Sequence, residues 1–227
     1  MTASDIFAKL AIMALPLIFG ITLHEAAHGW VASKLGDKTA LMLGRVTLNP
    51  LKHIDLVGTI ILPVAMLILS RFTFMFGWAK PVPVTWSNLK NPRRDMALVA
   101  LAGPGANFVM ALLWASIAKV ALLLHTNGAP ITQNVDAFFI LSGSYGIMLN
   151  CVLLVLNLIP IPPLDGSRIV SALLPPRLSY RYGLMEPYGI WIILALIFLF
   201  GRQILFPPVI ALIQLISSWF GIPMGGM

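Results

Sequence analysis

Long, nearly unbroken apolar runs dominate this chain, with polar residues gathered into a few short stretches between them. The first run, from Ile6 to Leu23, continues into a polar end and predicts a helix from about Asp5 to Lys34. At 1.5 Å per residue that is roughly 45 Å, enough to cross about 30 Å of hydrocarbon and emerge. Gly36 is placed to close it as the residue just past the helix end. Ala40 to Asn49 follows, with Leu41, Leu43, Val46 and Leu48 around Gly44-Arg45, a spacing that predicts a small β-hairpin or extended edge ended by Asn49-Pro50. The apolar stretch from Leu56 to Leu69 is short for a span and carries Pro63 at its middle. With Phe72 to Trp78 it reads as a re-entrant region that dips into the membrane and returns.

Two further long runs, Met96 to Leu124 and Ala137 to Ile159, are spans. Pro160 to Pro163 breaks the second and leads into a short helix, Ser167 to Leu174, which Pro175-Pro176 stops. Leu184 to Leu205 is another span, and Val209 to Phe220 is a short span or an interfacial helix. The fold class is therefore an all-α polytopic membrane protein with about five to six membrane segments. It forms a single domain over residues 1–227, with a core from about 17 to 174 and C-terminal spans from about 184 to 220.

Composition agrees with this pattern. The 227 residues are 59% hydrophobic and 10% charged, whereas a soluble domain has roughly a quarter of its residues charged. In a soluble protein the net charge of +7 would suggest nucleic acid as a partner; in lipid it reports which loops stay in the cytoplasm. No nucleic-acid partner is expected, and the bilayer is the surroundings. The single cysteine, Cys151, lies in an apolar run and supports neither a disulfide framework nor a thiolate ligand set. The first run is not a cleaved leader on this reading. Its basic flank is Lys9 alone, and cleavage would detach the polar residues that finish the same helix.

Those residues are His24-Glu25-Ala26-Ala27-His28, in a chain with four histidines in all. Residues four apart lie nearly above one another on a helix, so the two imidazoles face one point with Glu25 a step around. This is two-thirds of a zinc site together with its base; the bland alternative is polar residues snorkelling to the interface. A catalytic zinc takes a third protein ligand and leaves one position for water. Asp165, after the proline break, is the best third ligand because a carboxylate kept there is otherwise costly; the alternative is an N-cap for the following helix, and the two jobs can coexist. Asn107 shares a helix face with Gly103 one turn earlier, which suits either a site role or a hydrogen bond between helices. Asn157 has the same two readings, with the proline break favouring the site. His53 and Asp55 read as interfacial polar residues, with an alternative metal ligand as the second reading, and Glu186 as helix-start chemistry.

Taken in order, HEAAH, the AGPGANF stretch and the N-x-x-P-x-P-x-L-D-G string resemble the site-2 protease family of intramembrane zinc metalloproteases, over about Leu17 to Leu174. The resemblance implies that His24, His28 and Asp165 hold one Zn2+ per chain, that Glu25 is the catalytic glutamate, and that Asn107 and Asn157 hold the substrate or the reacting carbonyl. It also implies hydrolysis of peptide bonds within or near transmembrane segments of other membrane proteins. Leu164 stands where the family's motif has proline. No stretch is long enough for a PDZ domain, so the chain resembles compact, core-only members. A metal-carrying transporter or scaffold is the rival reading, in which Glu25 has no task.

Depth supplies a check that does not use the family. The three motifs lie at the end, the beginning and the end of successive spans, and they coincide only if those spans run down, up and down. Lys34, Lys38, Arg45, Lys52, Arg71, Lys80, Lys90, Arg93, Arg94, Arg168, Arg177 and Arg181 then share the motif side, while His125 to Asp136 contains no Lys or Arg. Positive charge places the motif side in the cytoplasm and the N-terminus outside, in the cell membrane.

Overall fold

A computed structural model describes residues 3–61, 65, 79–126 and 133–223. Its helices are α1 (Ala3–Leu35), α2 (Thr39–Met42), α3 (Pro92–Thr126), α4 (Gln133–Asn157), α5 (Asp165–Leu173), α6 (Pro176–Gly183), α7 (Gly189–Phe200) and α8 (Phe206–Phe220). Among the described residues there is no strand. Four stretches are long and apolar enough to cross a membrane: Ala11–Leu35, Pro92–Thr126, Val135–Asn157 and Pro176–Phe220.

The expectation of five to six segments is not confirmed: four such stretches stand among the described residues, and Leu184 to Phe220 falls within one of them. α7 passes through a widened turn at Gly201–Leu205 directly into α8, which starts at Phe206 with Pro207 and Pro208 in its first turn. Prolines are tolerated there because the first amides of a helix have no intrahelical partner. α8 packs one face on the core. Val209, Ile213 and Ile216 are buried against Met110, Trp114, Ala118, Ile147 and Cys151 of α3 and α4. Of the proposed re-entrant region, Leu56–Ile61 forms a helical turn capped by Asp55, which accepts from the Val57 and Gly58 amides; most of the rest, with Arg71, lies outside the described residues.

The hairpin expected over Ala40 to Asn49 is replaced by the short helix α2, a turn at Gly44 (φ +63°) and irregular chain. Asp37 decides the outcome. Its carboxylate accepts from the amide and hydroxyl of Thr39, an Asx-type contact that starts a helical turn, and Ala40-Leu41-Met42 are good helix formers. Gly36 does close α1, with φ +122°.

α1, α3 and α4 form the centre. Gly20 and His24 meet Asn107 while His28 meets Val99, so α1 and α3 are antiparallel. Asn107 meets Asn150 while Ala118 meets Gly143, so α3 and α4 are antiparallel as well. Lipid tails offer little hydrophobic drive for helix association, so close packing of small residues has to supply it. At Gly146 a Cβ would run into the Trp114 ring, and at Gly143 it would lie 2.6 Å from the Ala118 Cβ. These two glycines set how closely α3 and α4 cross.

Candidate metal centre

The i, i+4 histidines of α1 present their Nε2 atoms 3.1 Å apart. Asp165 Oδ2 stands 3.2 Å from His24 Nε2 and 3.3 Å from His28 Nε2. Asp165 is the first residue of α5, and its carboxylate is directed at the histidines. The turn bearing it is tightly held. Tyr182 donates its hydroxyl to the Pro160 carbonyl at 2.7 Å, and Arg168 pairs with Glu186 at 2.8 Å. A side chain at Gly166 would strike the Leu158 carbonyl, and one at Gly189 the Pro162 carbonyl.

The outer ring nitrogens determine the tautomers. His28 Nδ1 lies 2.7 Å from the Val99 carbonyl, which can only accept, so Nδ1 carries the proton. For His24 the assignment passes through two amides. The Gly146 carbonyl takes the Asn150 Nδ2 hydrogen at 2.8 Å, which turns Asn150 Oδ1 toward Asn107 Nδ2 at 3.1 Å. Asn107 Nδ2 also donates to the Gly20 carbonyl at 3.2 Å, so its Oδ1 faces His24 Nδ1, 2.6 Å away. Both imidazoles are therefore protonated on Nδ1 when neutral, with the Nε2 lone pairs aimed inward.

Two lone pairs and a carboxylate oxygen then converge with no proton between them, and Asp165 Oδ2 is buried without a hydrogen-bond partner. A bound cation would resolve the conflict. Ligand atoms about 2.0–2.1 Å from a tetrahedral centre are about 3.3 Å apart, which the three separations above match. Outward nitrogens fixed by a carbonyl and an amide oxygen are the usual support of zinc-binding histidines. Gly103 provides the room. A Cβ there would lie 2.5 Å from His24 Cε1, 2.6 Å from His24 Nε2 and nearer still to His28 Nε2. Among the described residues His24, His28 and Asp165 are the one set of three with metal-ligand spacing.

Glu25 stands beside this group with Oε2 accepting from the Val82 amide at 2.7 Å. Asn107 is fully buried, and its oxygen and both amide hydrogens are taken. Asn157 donates to the Leu153 carbonyl of its own helix at 2.9 Å and makes no hydrogen bond with the histidines or Asp165. His53 is buried with Nε2 on the Thr47 carbonyl.

Three contributors carried little sequence signal: Val99 and Val82 act through the backbone, and Asn150 sits within an apolar helix. An amide at mid-span is expensive to bury unpaired, and that cost was the available clue to Asn150.

The comparisons with known proteins agree with this chemistry. The chain is 40% identical over 200 residues to the protein named "Putative zinc metalloprotease YwhC" of Bacillus subtilis, covering 86% of this chain and 84% of that one. It is 29% identical over 180 residues to Rip2 of Mycolicibacterium smegmatis, also named a putative zinc metalloprotease, covering 79% of this chain and 64% of that one. Rip2 of Mycobacterium tuberculosis is 30% identical over 160 residues, covering 70% and 56%. No family model and no solved structure matches. With over four-fifths of both chains aligned at 40% identity, this membrane protein belongs to the zinc metalloprotease family that includes the Bacillus relative.

Proposed function

We propose that the chain is an intramembrane zinc endopeptidase of the site-2 protease type, cutting membrane-protein substrates within or near their transmembrane segments. The observation that carries this reading is the convergence of His24, His28 and Asp165 on one point with Glu25 on the adjoining position of the same helix. Zinc held by these three residues would supply a Lewis acid that polarises the scissile carbonyl and brings the pKa of a water near ~7.

The remaining work falls to the chain. Glu25 takes the proton of the attacking water and delivers it to the leaving amine. Asn107, saturated by its own contacts, orients His24 and is not free to hold substrate. Asn157 keeps one amide hydrogen and is the candidate contact for the reacting carbonyl. A peptide bond inside a helix is shielded by its own hydrogen bonds, so the substrate span has to unwind; spans weakened by Gly or Pro are the preferred targets. Positive charge on the motif side puts the active site beneath the cytoplasmic face with the N-terminus outside.

The test is Glu25→Gln in cells expressing either form, with membrane proteins compared for fragments. The substituted protein retains zinc and yields no cleavage. Undiminished cleavage would refute the proposal; equal metal loading with no difference in fragments would favour a metal-carrying transporter or scaffold.

A further inference from the structure

Glu25 is not left to its own rotamers. Its Oε2 receives the Val82 amide at 2.7 Å, and Val82 lies between Pro81 and Pro83. Proline has no N–H, so Val82 is the main-chain donor of that three-residue stretch. A following proline also biases Lys80 and Val82 toward extended backbone, which keeps the amide from turning away into a helix.

The segment is pinned on both sides of this contact. Arg45 donates to the Lys80 carbonyl at 3.0 Å and to the Pro81 carbonyl at 3.4 Å. The Lys80 amide donates to the His53 carbonyl at 2.9 Å, and the Thr85 amide to Asp37 Oδ2 at 2.7 Å. Val82 is itself buried. It seats against Gly29, one turn after Glu25, where an added Cβ would come within 3.0 Å of Val82 Cγ1.

Resting on the protease reading above, we infer that the Val82 backbone amide positions the catalytic carboxylate, so that Pro81-Val82-Pro83 is a positioning element of the reaction. One carboxylate oxygen is anchored, and the other is left to exchange the proton. The opposite role, a latch that must lift before substrate enters, needs the segment to leave. Its fastening to Arg45, His53 and Asp37 and the burial of Val82 argue against that.

Two measurements on the full-length, zinc-loaded protein decide it. In hydrogen exchange, the Val82 amide is protected in the original chain and in Glu25→Gln, which keeps an oxygen acceptor, but exposed in Glu25→Ala. In liposomes containing a single-span reporter with Gly-Pro in its apolar helix, Val82→Pro lowers kcat by about 10- to 100-fold, the cost of misplacing a catalytic group by about an ångström. KM stays within about twofold and zinc remains bound. If Val82→Pro does not fold, Arg45→Met, which frees the Lys80 and Pro81 carbonyls, lowers kcat in the same way. Unchanged Val82 exchange in Glu25→Ala overturns the inference, as does turnover by Val82→Pro or Arg45→Met equal to or above the original. An active Glu25→Gln would instead remove the protease reading itself, which separates the two failures.

Discussion

Gly103→Ala is the sharpest perturbation of the site, because it adds one methyl group where the two ring nitrogens converge. Ordinary contact begins at 3.4 Å, and the new Cβ would lie 2.6 Å from His24 Nε2 and nearer to His28 Nε2, so the rings must retreat by about 0.8 Å or more. Metal ligands tolerate about 0.2 Å. The rings cannot yield freely, since a retreat of that size pulls His24 from Asn107 and His28 from the Val99 carbonyl. Each such outer contact is worth about 10- to 100-fold in metal affinity. Losing both weakens zinc binding by about 10² to 10⁴, or about 3 to 5 kcal/mol. The assay is zinc competition against a chelator on purified protein in detergent, read by elemental analysis. Gly105→Ala is the control, two residues along the same helix with no atom within 4 Å of the added Cβ; it should bind zinc like the original and gain up to about 1 kcal/mol of helix stability. Zinc affinity in Gly103→Ala within about threefold of the original would refute the packing argument.

Other substitutions separate the supporting shell. Asn107→Leu removes the His24 anchor and leaves Asn150 Oδ1 without its donor, so zinc affinity should fall about 10- to 100-fold by the same competition. Asn150→Leu should fall less, because the Gly20 carbonyl still orients Asn107. Asp37 supplies a pH test. Burial alone would raise its carboxyl, but hydrogen bonds from Thr39, the Thr85 amide and Asn88 outweigh it and hold the group below its ordinary value. Such a group stabilises fully above its unfolded pKa, about 3.9, and the stabilisation is lost as pH falls through the lower folded value. Thermal melting should weaken with acid below about pH 4; Asp37→Asn should melt lower at neutral pH and lose that acid dependence.

The i, i+4 spacing of His24 and His28 made the convergence of two imidazoles legible because helix geometry alone brings them together. Asp165 was singled out by cost, since a carboxylate beside a broken membrane helix needs a partner, and its Oδ2 lies 3.2 and 3.3 Å from the two ring nitrogens. The alternating direction of α1, α3 and α4 followed from where each motif sat within its span. Over Ala40 to Asn49 the alternation of leucines points to a hairpin, but a local signal, Asp37 two residues before Thr39, starts a helical turn instead. Leu41, Met42, Leu43 and Leu48 are all exposed, so the alternation reflects no sheet face packed on a core. Backbone partners such as the Val99 carbonyl and Val82 amide leave no trace in residue identity. Only tertiary contact reveals them.

Zinc-edge X-ray absorption on the purified, zinc-loaded protein tests the central claim most directly. The account predicts one zinc per chain with imidazole scattering from two histidines at about 2.0–2.1 Å, oxygen at about 2.0–2.2 Å and no sulfur, the oxygen shell being reduced in Asp165→Ala. A sulfur shell near ~2.3 Å, or a spectrum unchanged by replacing His24 and His28, would contradict it.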